Sequence, residues 1–128
     1  MDMATGAAPE LLRKDRPGGV TLLVLHRPTR RNALSLSLLS ALRAALAQIA
    51  ADRGVRAVVL AAEGPAFCAG HDLAELRAHR GDADGGLGFY RQVMAECAAV
   101  MQAIVALPQP VIAAVQGVAT AAGCELLA

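Results

Sequence analysis

Two stretches of the sequence carry residues that can do chemistry. "EGPAFCAGHDL", residues 63–73, has a Pro, two Gly, a Cys, a His and an Asp, but no Ser and no Lys. "QGVATAAGCELLA", residues 116–128, is a run of small residues that ends in Cys124 and Glu125. Each follows an apolar, β-branched stretch, "VRAVVLAA" or "VIAAV". Loops this poor in polar side chains offer their backbone instead. Ala66, Ala69 and Gly70 in the first, and Gly117, Ala119, Ala121, Ala122 and Gly123 in the second, let a ligand come close to N–H groups. The second loop also runs into a helix start, whose free N–H groups and dipole favour negative charge. Two convergent N–H donors, one at a helix start, are what an acyl oxyanion needs. Helical side chains lean toward the helix N-terminus, so Glu125 directs a carboxylate at the same mouth. That places an acid/base beside an oxyanion site. The plain reading stands beside it: glycine-bearing strand-to-helix loops are common, and a Glu in a first turn complements the dipole.

The elements that must position these loops follow from periodicity. "ELLRKDRPGGVTLLVLHRP" reads as two strands joined by the turn Arg16-Pro17-Gly18-Gly19, the second ending before Pro28. Ser35 or Ser37 caps a helix running to about Asp52, with Leu38, Leu39, Leu42, Leu46 and Ile49 at helical spacing. Residues 55–62 read as a strand buried on both faces. Asp72 caps a short helix, "LAELRAH", and "RGDADGGLG" is an exposed loop. A second long helix carries Tyr90, Val93, Met94, Cys97, Val100, Met101 and Ile104 on one stripe. "VIAAV" is another buried strand. Strands separated by helices imply parallel pairing through right-handed crossovers. In such a sheet the strand C-termini share one edge, and both loops lie there.

Composition narrows the function classes. The 128 residues are 55% hydrophobic and 18% charged, which favours one packed domain over a disordered chain. With 2% aromatic residues, the core is built from Ala, Leu, Val and Ile. A net charge of +1 and no basic run beyond Arg30–Arg31 argue against nucleic-acid binding. Three Cys without C-x2-C spacing fit a reducing compartment, and the cytoplasm is the expected location. "MDMATGAAPELL" is not a secretory signal, and no stretch is apolar enough to span a membrane. The sequence stops inside the opening turns of a helix and reads as a piece of a longer protein. Cys68-x2-His71 fits no common zinc pattern, so no metal site is expected. Counting an EF-hand from Asp82 puts Val93 where Glu is required. No Walker lysine, GxSxG or GxGxxG occurs.

Three blocks, "RPTRRNALS", "AAEGPAFCAGHDL" and "PQPVIAAVQGVATAAGCELLA", resemble the enoyl-CoA hydratase/isomerase family, the crotonase superfamily. They stand in the family's order and spacing, and the resemblance covers about residues 10 to 128. It implies an α/β fold, a crotonase-like spiral of ββα units, here truncated after its N-terminal half. Residues 1–9 are then a flexible leader. The resemblance further implies binding of acyl-CoA thioesters, assembly as homotrimers or hexamers, and no cofactor beyond the CoA carried by the substrate. In the family two backbone N–H groups hold the thioester oxygen as it becomes an enolate; they match Ala69 and Ala122. Gly70, His71, Asp72 and Leu73 match positions lining the acyl thioester, and Arg30, Arg31 and Ala33 match the segment along the CoA. Glu125 matches one of the two catalytic glutamates of hydratases; the second lies past residue 128. Hydration of a 2-enoyl-CoA is the implied reaction, with isomerase, acyl-CoA hydrolase and a non-catalytic CoA-ester-binding or oligomerisation member as alternatives. One departure stands out. Many members have Gly-Gly-Gly where this chain has Ala121-Ala122-Gly123, so both alanines are expected to have ordinary helical or β dihedrals.

Overall fold

The computed structural model describes residues 8–128. Residues 1–7 of the expected leader lie outside the described residues, and Ala8 and Pro9 are exposed and irregular. The chain then forms β1 (Leu11–Arg16), β2 (Val20–Leu25), α1 (Leu36–Ala50), β3 (Ala57–Ala62) and β4 (Ala66–Cys68). After these come α2 (Leu73–Ala78), α3 (Leu87–Ala106), β5 (Val111–Ala113), β6 (Val118–Ala119) and α4 (Ala122–Glu125). β1 and β2 make the expected antiparallel hairpin, with Gly18 and Gly19 both at positive φ in its turn. β2, β3 and β5 then pair in parallel, giving a sheet of order β1-β2-β3-β5. The α/β fold is as the sequence implies.

α1 follows its leucine pattern closely. Ser35 caps it, its Oγ accepting from the Leu38 N–H at 3.1 Å, and Leu38, Leu39, Leu42, Leu46 and Ile49 are all buried. α3 lies alongside it and contributes Val93, Cys97 and Val100 to the same core. Both helices cover one face of the sheet, where Thr21, Leu23, Leu25, Val58 and Leu60 are buried. The expectation that β3 is buried on both faces is corrected: Val58 and Leu60 are buried, whereas Val59 and Ala61 are only partly covered. The expectation that "VIAAV" is another buried strand is corrected too: β5 is an edge strand, with Ile112 56% exposed. The described residues place no element over its outer side.

Two short strands were not anticipated from the sequence. β4 and β6 lie inside the two glycine-bearing loops and pair in parallel as a separate two-stranded layer. At two or three residues, neither is long enough to show a periodic pattern. The pairing demands close approach of backbones. A Cβ on Gly123 would lie 2.2 Å from the Cys68 carbonyl oxygen, and one on Gly117 would lie 2.6 Å from that of Pro65. Only glycine fits where the two loops touch.

Asn32 fixes these loops to the main sheet. Its side chain is fully buried, and its Oδ1 accepts from the Arg27 N–H at 2.7 Å. Its Nδ2 donates to the carbonyls of Glu63 at 2.9 Å and Ala66 at 3.0 Å. Its φ of +54° is a conformation that Asn adopts at lower cost than Ala. Asn32→Ala should destabilise the fold by about 3 kcal/mol or more, because it orphans buried backbone groups at both ends of the bridge. A chemical-denaturation midpoint checks this, and a loss under about 1 kcal/mol would show that the amide does not carry the loops.

Candidate functional site

The two loops meet as the sequence implies. Gly70, at a φ of +93°, presses on the second loop: a Cβ there would lie 3.1 Å from the Ala121 Cβ and 3.5 Å from the Ala122 nitrogen. The Thr120 N–H donates to the Cys68 carbonyl at 3.1 Å, and the Thr120 hydroxyl to the Ala69 carbonyl at 3.2 Å. Gln116 adds a second clamp, its Nε2 donating to the carbonyls of Gly64 and Ala66, both at 3.0 Å. Asn32 and Gln116 were not singled out from the sequence. Their only signal there was a polar amide in each of two otherwise apolar or turn-forming segments.

The donors differ from expectation at one position. The N–H of Ala69 is not open, because it donates to the Arg31 carbonyl at 3.0 Å. The open group lies two residues on. Leu34 and His71 form a parallel bridge in which Leu34 donates to the Gly70 carbonyl and accepts from the Asp72 N–H. In that geometry Leu34 spends both its backbone groups on the neighbours of His71. The N–H of His71 itself turns away from Leu34, and no acceptor meets it among the described residues. At the other loop Ala122 is the first residue of α4, so its N–H has no acceptor within the helix. None is supplied from elsewhere among the described residues. His71 and Ala122 are thus an uncommitted pair, one on each loop, and the Ala121 N–H beside them also has no acceptor among the described residues.

The alanine dihedrals divide. Ala122 has no positive φ, as expected, but Ala121 has φ +51° and ψ −126°. The Gly123 N–H donates to the Thr120 carbonyl at 2.8 Å, so residues 120–123 form a tight turn with Ala121 at its first central position. That is the II′ geometry, which favours glycine there. The turn is imposed because the chain must reverse between β6 and α4 while Gly123 stays against Cys68. Such a conformation costs about 1–3 kcal/mol for an alanine. Ala121→Gly should therefore stabilise the fold by roughly 1 kcal/mol, after the added freedom of the unfolded chain is subtracted. A lowered melting temperature in that variant would contradict the strain.

Charges around the loops are ordered by Arg27, whose guanidinium has little solvent contact. It pairs with Glu10 at 2.8 Å and Asp72 at 3.1 Å, and donates to the Ala33 carbonyl. Asp72 in turn caps α2, accepting from the Glu75 N–H at 3.1 Å. Burial pushes the Asp72 carboxyl up, but the Glu75 N–H and the Arg27 guanidinium outweigh it and hold the group below its ordinary value. A depressed folded pKa gives stability that is present above the unfolded value, near 4, and lost as pH falls through the folded one. The Asp72 contribution to the denaturation midpoint should thus be level from neutral pH to about 5 and then fall in acid. Asp72→Asn, which keeps the cap but not the charge, should make that fall shallower; an unchanged acid limb would remove Asp72 from the account.

His71 is half-buried, and its Nδ1 is buried without a hydrogen-bond partner. Burial lowers its pKa from the usual imidazole range, and the negative charge of Glu125 recovers only part of the shift. The ring is therefore neutral at pH 7. Glu125 is exposed in the single turn of α4. Cys68 is buried, its Sγ donating to the Asn32 carbonyl at 3.2 Å, and burial pushes its thiol up, as it does for Cys97. Neither has the character of a nucleophile. His26 and His79 bond to Glu63 and Asp82, each at 2.8 Å.

Among the expected substrate-contacting residues, Arg30, Arg31, Ala33, Ala69 and Asp72 line one open cleft of about 350 Å³. Leu73 lies outside it, on a second cleft between α2 and α3. No group of three or more His, Cys, Asp or Glu side chains among the described residues is arranged to hold a metal ion. No described helix is long and apolar enough to cross a membrane.

Comparison with known proteins agrees with the resemblance. The family described as enoyl-CoA hydratase/isomerase matches residues 15–128. A rat (Rattus norvegicus) protein named enoyl-CoA hydratase domain-containing protein 3, mitochondrial, is 39% identical over 120 residues, which cover 94% of this chain and 38% of that one. A probable enoyl-CoA hydratase of Rhizobium meliloti is 38% identical over 117 residues, covering 91% of this chain and 42% of its own. The crystal structure of an enoyl-CoA hydratase from Mycobacterium smegmatis superposes with a TM-score of 0.86 at 51% identity, over 93% of this chain and 44% of that chain. The chain thus spans about two fifths of the length of the curated relatives it matches.

Proposed function

The chain belongs to the enoyl-CoA hydratase/isomerase family, and from that premise we propose that it binds acyl-CoA thioesters and hydrates a 2-enoyl-CoA. The observation that carries this reading is the pair of uncommitted N–H groups on His71 and Ala122, set on two loops in contact. The thioester carbonyl oxygen takes both hydrogen bonds. As water adds to the β-carbon, electrons of the Cα=Cβ bond move toward that oxygen, and the two donors meet the growing charge. The dipole of the turn that begins at Ala122 has the same sign of effect. Each such donor contributes about 3 kcal/mol to the transition state. The neutral His71 ring leaves the mouth without a competing cation.

Glu125 is the acid/base of this scheme. It stands in the first turn of α4, three residues after the Ala122 donor. As a carboxylate it accepts a proton from the attacking water; as the acid it returns one to the α-carbon, so that water is added in full and nothing is oxidised. Arg30 and Arg31, on the leucine-free cleft next to Ala69, suit the phosphates of CoA. The homo-oligomeric state implied by the resemblance belongs to the same proposal.

Replacing Glu125 with Gln preserves size and removes the proton transfer. In the intact protein, kcat for loss of enoyl-thioester absorbance should fall by about 10²–10⁴, with KM little changed. Undiminished turnover in Glu125→Gln would remove Glu125 from the mechanism. Turnover of 3-enoyl-CoA substrates in place of hydration would assign the same site to isomerisation.

A further inference from the structure

Three clefts touch the 69–73 loop; one, of about 410 Å³, lies between the two glycine-bearing loops against Pro65, Ala66 and Val118, and the linings of the other two differ. One carries Arg30 and Arg31 with the backbone around Ala33 and Ala69, and has no leucine. The other, of about 380 Å³, lies between α2 and α3 and is lined by Leu73, Leu76, Tyr90 and Met94 together with Arg77 and Arg80. Its walls are held in place. The Tyr90 hydroxyl donates to the Leu76 carbonyl at 3.2 Å, and the His79 ring stacks on Phe89 with centroids 3.6 Å apart and planes 6° from parallel. Leu73 is 65% exposed and Met94 47%, so the cleft presents an open apolar surface. Among the described residues only Arg13, Arg27 and Arg43 have carboxylate partners, so it is the position of Arg77 and Arg80 on an apolar cleft that sets them apart from the other arginines. Arg77 and Arg80 have neither an ion pair nor a hydrogen bond among the described residues.

A CoA thioester leaves its carbonyl carbon in two directions, toward a polyanionic handle and toward an acyl chain. The leucine-free basic cleft matches the handle, and the apolar cleft matches the chain. An apolar cleft bearing two unpaired guanidiniums matches a chain that ends in an anion. We propose that the preferred ligand is an acyl-CoA whose acyl chain carries a terminal carboxylate. Its methylenes lie along Leu73, Leu76 and Met94, and its carboxylate meets Arg77 and Arg80. The planar guanidinium fork suits a carboxylate in two-point contact. This assignment rests on the acyl-CoA reading above and narrows its substrate class.

The test compares two saturated acyl-CoA thioesters of equal chain length, one methyl-ended and one ω-carboxylated, by titration calorimetry on the intact protein. The wild type should bind the ω-carboxylated thioester about three- to tenfold more tightly, the yield of two exposed ion pairs. The double variant Arg77→Gln/Arg80→Gln should lose that preference while binding the methyl-ended thioester as before, which also shows that it is folded. Arg77→Lys/Arg80→Lys should keep part of it. Equal affinities in the wild type, or a preference that survives the double Gln substitution, would overturn the assignment and leave acyl-CoA binding intact. Failure of both thioesters to bind would overturn the assignment together with the reading beneath it.

Discussion

The buried Asn32 side chain is the contact on which the rest of the site depends. Its single amide joins the end of β2 to the segment between β3 and β4, through three hydrogen bonds to backbone groups. The Ala69 N–H on the Arg31 carbonyl, the Leu34–His71 bridge and the Arg27–Asp72 pair add further ties between the 63–72 loop and the segment after β2. A polar group so deep is stable only when all its partners are in place, which makes the arrangement intolerant of alternatives. Arg27 plays the matching part on the outside, drawing Glu10, Asp72 and the Ala33 carbonyl toward one guanidinium.

From that anchor the donor geometry follows by backbone accounting. The Arg31 carbonyl takes the Ala69 N–H, and Leu34 takes the carbonyl of Gly70 and the N–H of Asp72. What remains is the N–H of His71. The second loop reaches its place because Gly117 and Gly123 let it lie against Pro65 and Cys68. Its helix start leaves the Ala122 N–H free for the same reason that every helix has orphan donors. Strain at Ala121 is the cost of turning into α4 at that point.

Small residues explain both the stability and the openness of this region. β4 and β6 are too short to hold each other by hydrogen bonds alone. They are held by Gln116, by Thr120 and by glycine contacts that no larger residue permits. The main core lies elsewhere, between α1, α3 and one face of the sheet. The site is therefore carried at the margin of the core, where backbone groups can stay uncommitted without being buried.

Much of the frame was legible in the amino-acid sequence. The leucine spacing of α1, the Ser35 and Asp72 caps and the Pro-Gly-Gly turn are local features, set by residues a few positions apart. The convergence of the two loops was legible too, because parallel strands share one carboxyl edge. Which alanine or histidine kept a free N–H was not. Ala69 and His71 are two residues apart in the same loop, and nothing local distinguishes them. Their difference arises from carbonyls and amides at Arg31 and Leu34, more than thirty residues away. The pairing of β4 with β6, the positive φ of Ala121 and the divergence of Leu73 from the Arg30–Arg31 cleft have the same origin. The sequence by itself determined the longer elements, the order in which they meet and the residue types at the loops. The tertiary structure decided which backbone groups were consumed in holding those loops together, because a hydrogen bond is assigned only when both partners are in place.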